Sequence, residues 1–450
     1  MIENLNKFKA KELLILLFEI FLIFVILFGR SFTGLYLFGF RLGELMIGLS
    51  LVLFSCILYL YTNKKLDYLP KKVVQTQLYL VALFFIINLI NQTYFGDLYI
   101  FKSSSFIWTS FYFYIGIIYA KVKNENAIYL NLLPLSTYIV YILSTVHFPD
   151  FLWNIFINYS DKVDFLKGSD LLLIFVLTNY LNKKYQKNRI IYLYNFFISS
   201  GLLLPILLFK SKGAFLPAII YVFVELILIY KFLWKNKLNS LIAILLSMFI
   251  FSLSTLYIWG NFSFDKNPDS PNIIISNIAN TGDAIQEISE EKNTIDAIFS
   301  LYYNPLNNRL MSTENMANWR LLIWQDVYWD LIENNKLLFG YGFENKIPAM
   351  EQRDRQGWDG ENEHVHNFAI NILARIGLIG LCMMLIFYYL LFREFLSEKK
   401  NFKDILLFII PVLITASFDP ALESVRFPFI YYFFLGLFYH DRNANILDKH

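Results

Sequence analysis

The chain contains several runs of apolar residues that are long enough to cross a lipid bilayer, and no other feature constrains its fold as strongly. A spanning helix needs about 17–25 consecutive, mainly apolar residues. The runs LLILLFEIFLIFVILFG and LNSLIAILLSMFIFSLSTLYIW reach that length. Only 17% of the residues are charged, whereas soluble domains average about 25%. The sequence therefore predicts an all-α integral membrane protein.

Twelve apolar segments are predicted to be transmembrane helices. The first is interpreted as a retained span and not a signal peptide, because no small-residue cleavage site follows it and another apolar run comes soon after. The twelve predicted spans cover residues 12–29, 42–61, 73–91, 103–120, 127–146, 169–182, 190–209, 213–233, 239–259, 366–392, 403–418 and 424–440.

The distribution of lysine and arginine predicts which loops face the cytoplasm. Short loops rich in these residues mark the cytoplasmic side of a membrane, and here they follow the even-numbered spans. Both termini are therefore predicted to be cytoplasmic. The shortest span, 169–182, is retained because its omission would move the basic 231–237 loop to the outside.

This sidedness leaves one long loop on the outer face, and loops of that length usually have a function. The predicted organisation has four parts: spans 1–9 in residues 1–259, the large outer loop in 260–365, spans 10–12 in 366–440, and a cytoplasmic tail in 441–450.

Within the outer loop, Trp319–Ile332 has apolar residues at helical spacing and is predicted to be an amphipathic helix lying in the membrane interface. Arg320 is expected in its first turn, where a cation opposes the helix dipole. A bound anion would remove that conflict, and an arginine facing lipid headgroups is the alternative. Gly340 and Gly342 follow, and their spacing favours a tight turn over a phosphate-binding loop.

The stretch ENEHVHN gathers titratable side chains where the tenth span begins. Asn367 can cap that helix. His366 can orient or deprotonate a hydroxyl, or it can simply anchor the helix among headgroups. His364 lies two residues away and is expected to be dispensable. A metal site with Glu361 and Glu363 is disfavoured, because the four-residue spacing of histidines in helical zinc sites is absent.

A further pair of cations lies in FKSKGAF, a minimal outer turn between two spans. Lys210 and Lys212 depart from the positive-inside pattern, and they can either extend toward the headgroups or bind an anion at the outer leaflet. Arg30, Arg41 and Arg426 are also expected on the outer side and are interpreted as ordinary surface cations.

Taken in order along the chain, these motifs resemble the O-antigen polymerase and ligase superfamily, the Wzy-type membrane glycosyltransferases. The motifs are SKG at 211–213, WR at 319–320 with GYG at 340–342, and HN at 366–367 continuing as NILARIGLIGL. The resemblance covers residues 199–392.

The resemblance implies an inverting glycosyl transfer at the outer face of the bacterial inner membrane, with no cofactor and no obligatory metal. The donor would be a glycan on undecaprenyl pyrophosphate, and the acceptor a sugar hydroxyl. By motif, Arg320 and His366 would be catalytic, with Lys212 and Lys210 binding the pyrophosphate. Lys212 stands where members carry arginine, and a lysine binds phosphate as a point charge.

The resemblance also implies partners: lipid-linked oligosaccharide as donor and acceptor, membrane lipids, a chain-length regulator and a flippase, but no nucleic acid. Polymerisation of repeat units of O-antigen, capsule or exopolysaccharide is the favoured function, and ligation to lipid A core is the alternative. A polysaccharide-lipid transporter is disfavoured because the sequence has no internal repeat, and a non-catalytic scaffold would not need Arg320 and His366.

Overall fold

A computed structural model describes residues 2–63, 69–122, 128–145, 149–160, 166–186, 188–258, 301–352, 355, 362–396 and 402–447. Most of these residues are helical, and two short antiparallel hairpins accompany the helices. Residues 260–300 of the predicted outer loop, and Glu361, lie outside the described residues.

The helices and strands are named in chain order. The helices are α1 (Ile2–Thr33), α2 (Leu42–Thr62), α3 (Lys71–Ile90), α4 (Tyr99–Ser103), α5 (Ser105–Trp108), α6 (Tyr112–Val122), α7 (Ile128–Thr145), α8 (Asp150–Tyr159), α9 (Gly168–Tyr185), α10 (Arg189–Lys210), α11 (Lys212–Lys235), α12 (Lys237–Ile258), α13 (Asn315–Glu333), α14 (Phe368–Leu396), α15 (Phe402–Ala416) and α16 (Arg426–Leu447). The strands are β1 (Tyr36–Leu37), β2 (Phe40–Arg41), β3 (Leu301–Asn304) and β4 (Arg309–Ser312).

Seven helices in the described part of the chain are long and apolar enough to cross a membrane, which makes this a multi-pass membrane protein. They are α1 from Lys11, α2, α3, α10, α11, α12 and α14. The number becomes eight if the bent pair Leu133–Thr145 and Asp150–Tyr159 forms one span. The predicted number of twelve is not confirmed. The predicted fourth span, for example, is divided among α4, α5, a 3₁₀ turn and α6.

The shortest predicted span corresponds to α9, which is buried on every side from Gly168 to Asn182. It packs against α7, α10, α11 and α15. Because neighbouring helices surround it, α9 can carry polar residues at depth: Thr178 shares a hydrogen bond of 2.6 Å with Thr137, and Asn179 donates to Ser199. These internal partners explain why this helix has a weaker hydropathy signal than the others.

Two glycines allow α6 and α16 to pack with their backbones in close contact. A Cβ atom at Gly116 would lie 2.0 Å from the carbonyl oxygen of Phe433, and one at Gly436 would lie 1.9 Å from that of Phe113. Small residues at a helix crossing permit this approach in membrane proteins. The crossing holds α16, and therefore Arg426 at its start, in a fixed position.

The predicted helix of the outer loop is α13, but it begins at Asn315, four residues earlier than expected. Glu314 caps it by accepting a hydrogen bond of 2.6 Å from the amide of Ala317. Arg320 therefore lies in the second turn and not in the first. The predicted conflict between Arg320 and the helix dipole is accordingly wrong, because the effect of the dipole is confined to the first turn.

One face of α13 is covered by protein. Ile323, Val327 and Leu331 are buried, and they form a small core with apolar residues of the following loop and of α14. The predicted contact of this face with lipid is replaced by contact with protein. The hairpin β3–β4 precedes α13 and was not predicted. The other members of the small core are Ile347, Ala349, Met350, Val365 and Ala374.

The loop after α13 docks into a break in α14. Gly377 has a φ of +66°, and the amide of Leu378 donates to the carbonyl of Leu337 at 2.8 Å. Gly340 and Gly342 have φ of +71° and +82°, which confirms the predicted tight turn. The amides of this turn already have backbone acceptors: that of Gly340 donates to Lys336 and that of Gly342 to Arg375. They are therefore not open to a phosphate.

Candidate functional site

The structure brings Arg320 and His366 together, although 45 residues separate them in the sequence. The ring of Trp319 lies 5.2 Å from the imidazole of His366. Burial lowers the pKa of His366 to about 3, and the charges of Arg320, His364 and Lys167 act in the same direction. His366 is therefore a neutral imidazole near neutral pH, close to the cations Arg320 and Lys167.

The backbone of His366 is also unusual, with a φ of +54°. Residues other than glycine rarely adopt this left-handed region, and such conformations cluster at functional sites. The next residue, Asn367, caps α14 as predicted: its Oδ1 accepts from the amide of Ile370 at 3.0 Å. His366 therefore occupies a turn immediately before α14.

Arg320 is half-buried, and burial lowers the pKa of its guanidinium while the carboxylates of Asp419 and Glu314 raise it. Its Nε is buried and has no hydrogen-bond partner among the described residues. An arginine with an unused donor beside a neutral histidine is able to bind an anionic group.

Lys212 is connected to Arg320 through Glu314, which interacts with both side chains. Its Nζ lies 3.2 Å from Oε1 of Glu314, and its side chain is 75% exposed. Ser211 is the only residue between α10 and α11, and its hydroxyl accepts from the amide of Ala214, so the SKG turn is as short as predicted. Glu314 therefore connects Arg320, through its charge, with Lys212, through an ion pair.

Lys210 is oriented toward another segment. Its Nζ donates to the carbonyl oxygen of Leu166 at 2.9 Å, next to Lys167. Burial lowers the pKa of Lys167, and Arg30 and Arg426 oppose its charge, while Asp419 and Asp170 favour it. Lys210 is thus beside Lys167, and its proposed role toward pyrophosphate stays a prediction.

A cavity of about 240 Å³ lies next to these residues. Arg320, His366, Lys212 and Lys210 are not among its lining residues. Arg30 and Arg426, which the sequence suggested were ordinary cations, do line it. The charged and imidazole side chains that line the cavity are Arg30, Lys102, Lys167, Asp170, Glu363, His364, Arg375, Asp419, Glu423 and Arg426.

Several charges in this cavity are already partnered. Arg426 forms a buried ion pair with Asp170. The carboxylate of Glu363 lies 3.2 Å from the Nζ of Lys102. Burial alone would raise the pKa of Glu363, but Lys102 and Lys346 together favour its charged form and lower the pKa. The positive and negative side chains that line the cavity are therefore nearly balanced in number.

Sequence reasoning missed the contributions of Lys167, Asp419 and Arg375. Lys167 and Asp419 belong to loops far apart in the chain, and only the fold brings them to His366 and Arg320. Arg375 offered a signal, because a charge inside an apolar span indicates function by default. It is buried and donates to the carbonyl of Gly342 and to the hydroxyl of Tyr99, each at 3.3 Å.

Among the residues that the structure describes, no group of three or more histidine, cysteine, aspartate or glutamate side chains could hold a metal ion. His364 instead pairs with Glu423, at 3.0 Å between Nδ1 and Oε2.

Comparison with known families gave one result that bears on this site. Residues 172–385 match the family model described as O-antigen ligase. The matched segment runs from α9 into α14 and includes Lys210, Lys212, Arg320 and His366. No curated protein matched the chain.

Proposed function

We propose, from the match of residues 172–385 to the family model described as O-antigen ligase, that the chain is a membrane glycosyltransferase that polymerises lipid-linked polysaccharide repeat units. The donor is a glycan on undecaprenyl pyrophosphate, and the acceptor is a sugar hydroxyl of another lipid-linked unit. The reaction takes place at the outer face of the bacterial inner membrane, and both termini are cytoplasmic.

The main support for this proposal is that Arg320 and His366 lie close together, near Lys212. Pyrophosphate is an anionic leaving group whose charge grows as its bond to the sugar breaks, and fixed cations stabilise that charge. Arg320, with its unused Nε, and Lys212, which is exposed, are suited to this task. Lys210, which donates to the carbonyl oxygen of Leu166, adds a positive charge beside Lys167, whose charge acts on His366.

His366 binds the acceptor hydroxyl, and it either orients this group or removes its proton. Fixing the hydroxyl against the anomeric carbon contributes to the rate without any covalent intermediate. A single displacement then inverts the configuration at that carbon. The step needs no metal or cofactor, because the arginine and lysine supply the positive charge.

Ligation of the glycan to lipid A core is the second candidate, because the matching family is described as O-antigen ligase. Both reactions use the same donor and the same chemistry at the anomeric carbon. They differ in the acceptor alone, and the residues at the site do not select one.

A test of glycosyl transfer follows the released lipid. Purified protein is given lipid-linked repeat units, and free undecaprenyl pyrophosphate and new glycosidic bonds are counted. We expect one lipid pyrophosphate per bond, with the anomeric configuration of the new bond opposite to that of the donor. Retention of configuration would contradict the single displacement. Movement of intact lipid-linked units across the bilayer without release would support a transporter.

A further inference from the structure

His364 and Glu423 form a pair that the sequence did not single out. His364 belongs to the segment before α14, and Glu423 ends a 3₁₀ helix, Pro420–Glu423, before α16. Their side chains meet at 3.0 Å between Nδ1 and Oε2. An ionised carboxylate accepts hydrogen bonds only, so Nδ1 carries the hydrogen and Nε2 is left as the acceptor of the ring.

The surroundings hold both partners in place. The hydroxyl of Ser105 donates to the backbone carbonyl of Glu423 at 2.6 Å. The indole of Trp324, on α13, donates to the carbonyl of Val365 at 2.8 Å, which fixes the chain between the two histidines. Asn362 donates to the carbonyl of His364 at 3.1 Å. The segments that contain Ser105, Trp324 and Glu423, together with the chain around His364 itself, therefore determine the position of one imidazole.

The pair also faces open space. Both residues line the 240 Å³ cavity; the side chain of His364 is 45% exposed, and that of Glu423 is 5% exposed. The second oxygen of Glu423, Oε1, is buried without a hydrogen-bond partner among the described residues. A buried carboxylate with an unused oxygen is costly if its purpose is only to tie two loops together.

We propose that His364 and Glu423 act as a dyad on the acceptor hydroxyl, with His364 taking up its proton and Glu423 positioning the imidazole. This proposal rests on the glycosyl transfer proposed above. It assigns separate tasks to the two histidines: His366 orients the hydroxyl beside Arg320, and His364 receives the proton. The expectation that His364 is dispensable is thereby replaced.

The transfer step forms one glycosidic bond and breaks one bond between the sugar and the phosphate. The oxygen of the acceptor hydroxyl attacks the anomeric carbon, and its proton passes to Nε2 of His364. The bond between the anomeric carbon and the phosphate oxygen breaks, and the lipid pyrophosphate leaves with the electron pair. Glu423 stabilises the imidazolium that forms, as carboxylates do in histidine-carboxylate pairs. The proton then passes to solvent through the open side of the cavity.

The proposal is tested with His364→Gln, which removes the basic nitrogen and keeps a side chain able to donate a hydrogen bond to Glu423. We expect the kcat per folded protein to fall by about 10²–10⁴-fold, while donor binding, measured separately, is unchanged. His364→Ala should lose as much activity, and added imidazole should restore part of its rate. Glu423→Gln should lower kcat with little change in KM.

Lys346→Ala provides the matched control, because Lys346 ties the same segment through Glu363 at 3.5 Å but does not line the cavity. It should keep its activity. Wild-type kcat in folded His364→Gln, or a loss that merely follows the loss of folded protein, would overturn the dyad. If the wild-type protein forms no glycosidic bond at all, the proposed function fails instead.

Discussion

At the scale of single residues, His366 is set apart by both its backbone and its surroundings. Its pKa of about 3 lies below the ordinary value of 6.5. Protonation of His366 therefore disfavours the folded protein. The neutral imidazole makes its full contribution to the free energy of unfolding above pH 6.5, and this contribution is lost as the pH falls from 6.5 toward 3. Near neutral pH the imidazole is uncharged and accepts a hydrogen bond, as contact with a sugar hydroxyl requires.

The same arrangement predicts the effect of removing Arg320. Arg320→Ala should abolish polymer formation in protein that still folds and reaches the membrane, because the charge on the leaving group is no longer stabilised. Arg320→Lys should recover part of the rate, since lysine keeps the charge but cannot form the paired hydrogen bonds of a guanidinium. The control is Arg41→Ala, which removes another arginine that the sequence predicts on the outer side. Product formation is measured per folded protein, and full activity of Arg320→Ala would indicate a headgroup contact instead.

A second prediction concerns His366 itself. His366→Ala should lower the rate of transfer by about 10²–10⁴-fold if the imidazole acts on the hydroxyl. EDTA should leave the wild-type rate unchanged. The EDTA test is needed because loss of activity in a His364 variant is expected both for the dyad and for a metal site. Loss of the wild-type activity with EDTA, restored by a divalent metal, would replace this mechanism with a metal-assisted one.

The sequence was enough to select Arg320, His366 and Lys212 as candidate site residues, because they stand in short motifs whose order is informative. The remainder depends on contacts between distant segments. Lys167 lies just before α9 and Asp419 lies between α15 and α16, and only the folded chain brings them close to His366 and Arg320. The short spacing of His364 and His366 suggested that one of the two was dispensable, and the partner that gives His364 a task, Glu423, lies 59 residues away.

At the scale of secondary-structure elements, helix ends were harder to predict than helices. The start of α13 was misplaced because Glu314 caps the helix before the apolar residues begin. The break in α14 was missed because Gly377 lies within an apolar run. The break matters for the site: it accepts the loop after α13, and Arg375 beside it lines the cavity.

This role of the break predicts that Gly377→Ala is destabilising. A Cβ atom there would lie 2.2 Å from the carbonyl oxygen of Leu338, and the φ of +66° is unfavourable for alanine. We expect a loss of about 1–3 kcal/mol or more in the free energy of unfolding. Gly48→Ala, in α2, is the matched control, because a Cβ atom there meets nothing within 4 Å. Equal thermal stability of the two variants in detergent would contradict the account of α14.

At the scale of the whole molecule, the apolar runs identified a multi-pass helical membrane protein but did not fix the number of spans. Helices such as α9 combine burial with polar residues, so that hydropathy alone undervalues them. The number of spans does not determine which loops face the cytoplasm. The distribution of lysine and arginine predicts that both termini are cytoplasmic and that residues 260–365 are outside.

Cysteine labelling tests this sidedness directly. Cys56 and Cys382 are replaced by serine, and a single cysteine is introduced at Leu306, which is 95% exposed in the β3–β4 hairpin, or at Lys235, at the end of α11. A membrane-impermeant reagent on intact cells should label position 306 and not position 235. Labelling of position 235 alone would invert the topology and place Arg320 and His366 on the cytoplasmic side.

The proposed polymerase activity is tested most directly by the size of the products. Purified protein in lipid nanodiscs is incubated with lipid-linked repeat units alone, and the glycans are separated by gel electrophoresis. We expect a ladder of products, each longer by one repeat unit, with the wild-type protein and no ladder with Arg320→Ala. If no ladder forms and a single transfer appears only when lipid A core is added, the chain is a ligase, and the proposed polymerase activity is contradicted.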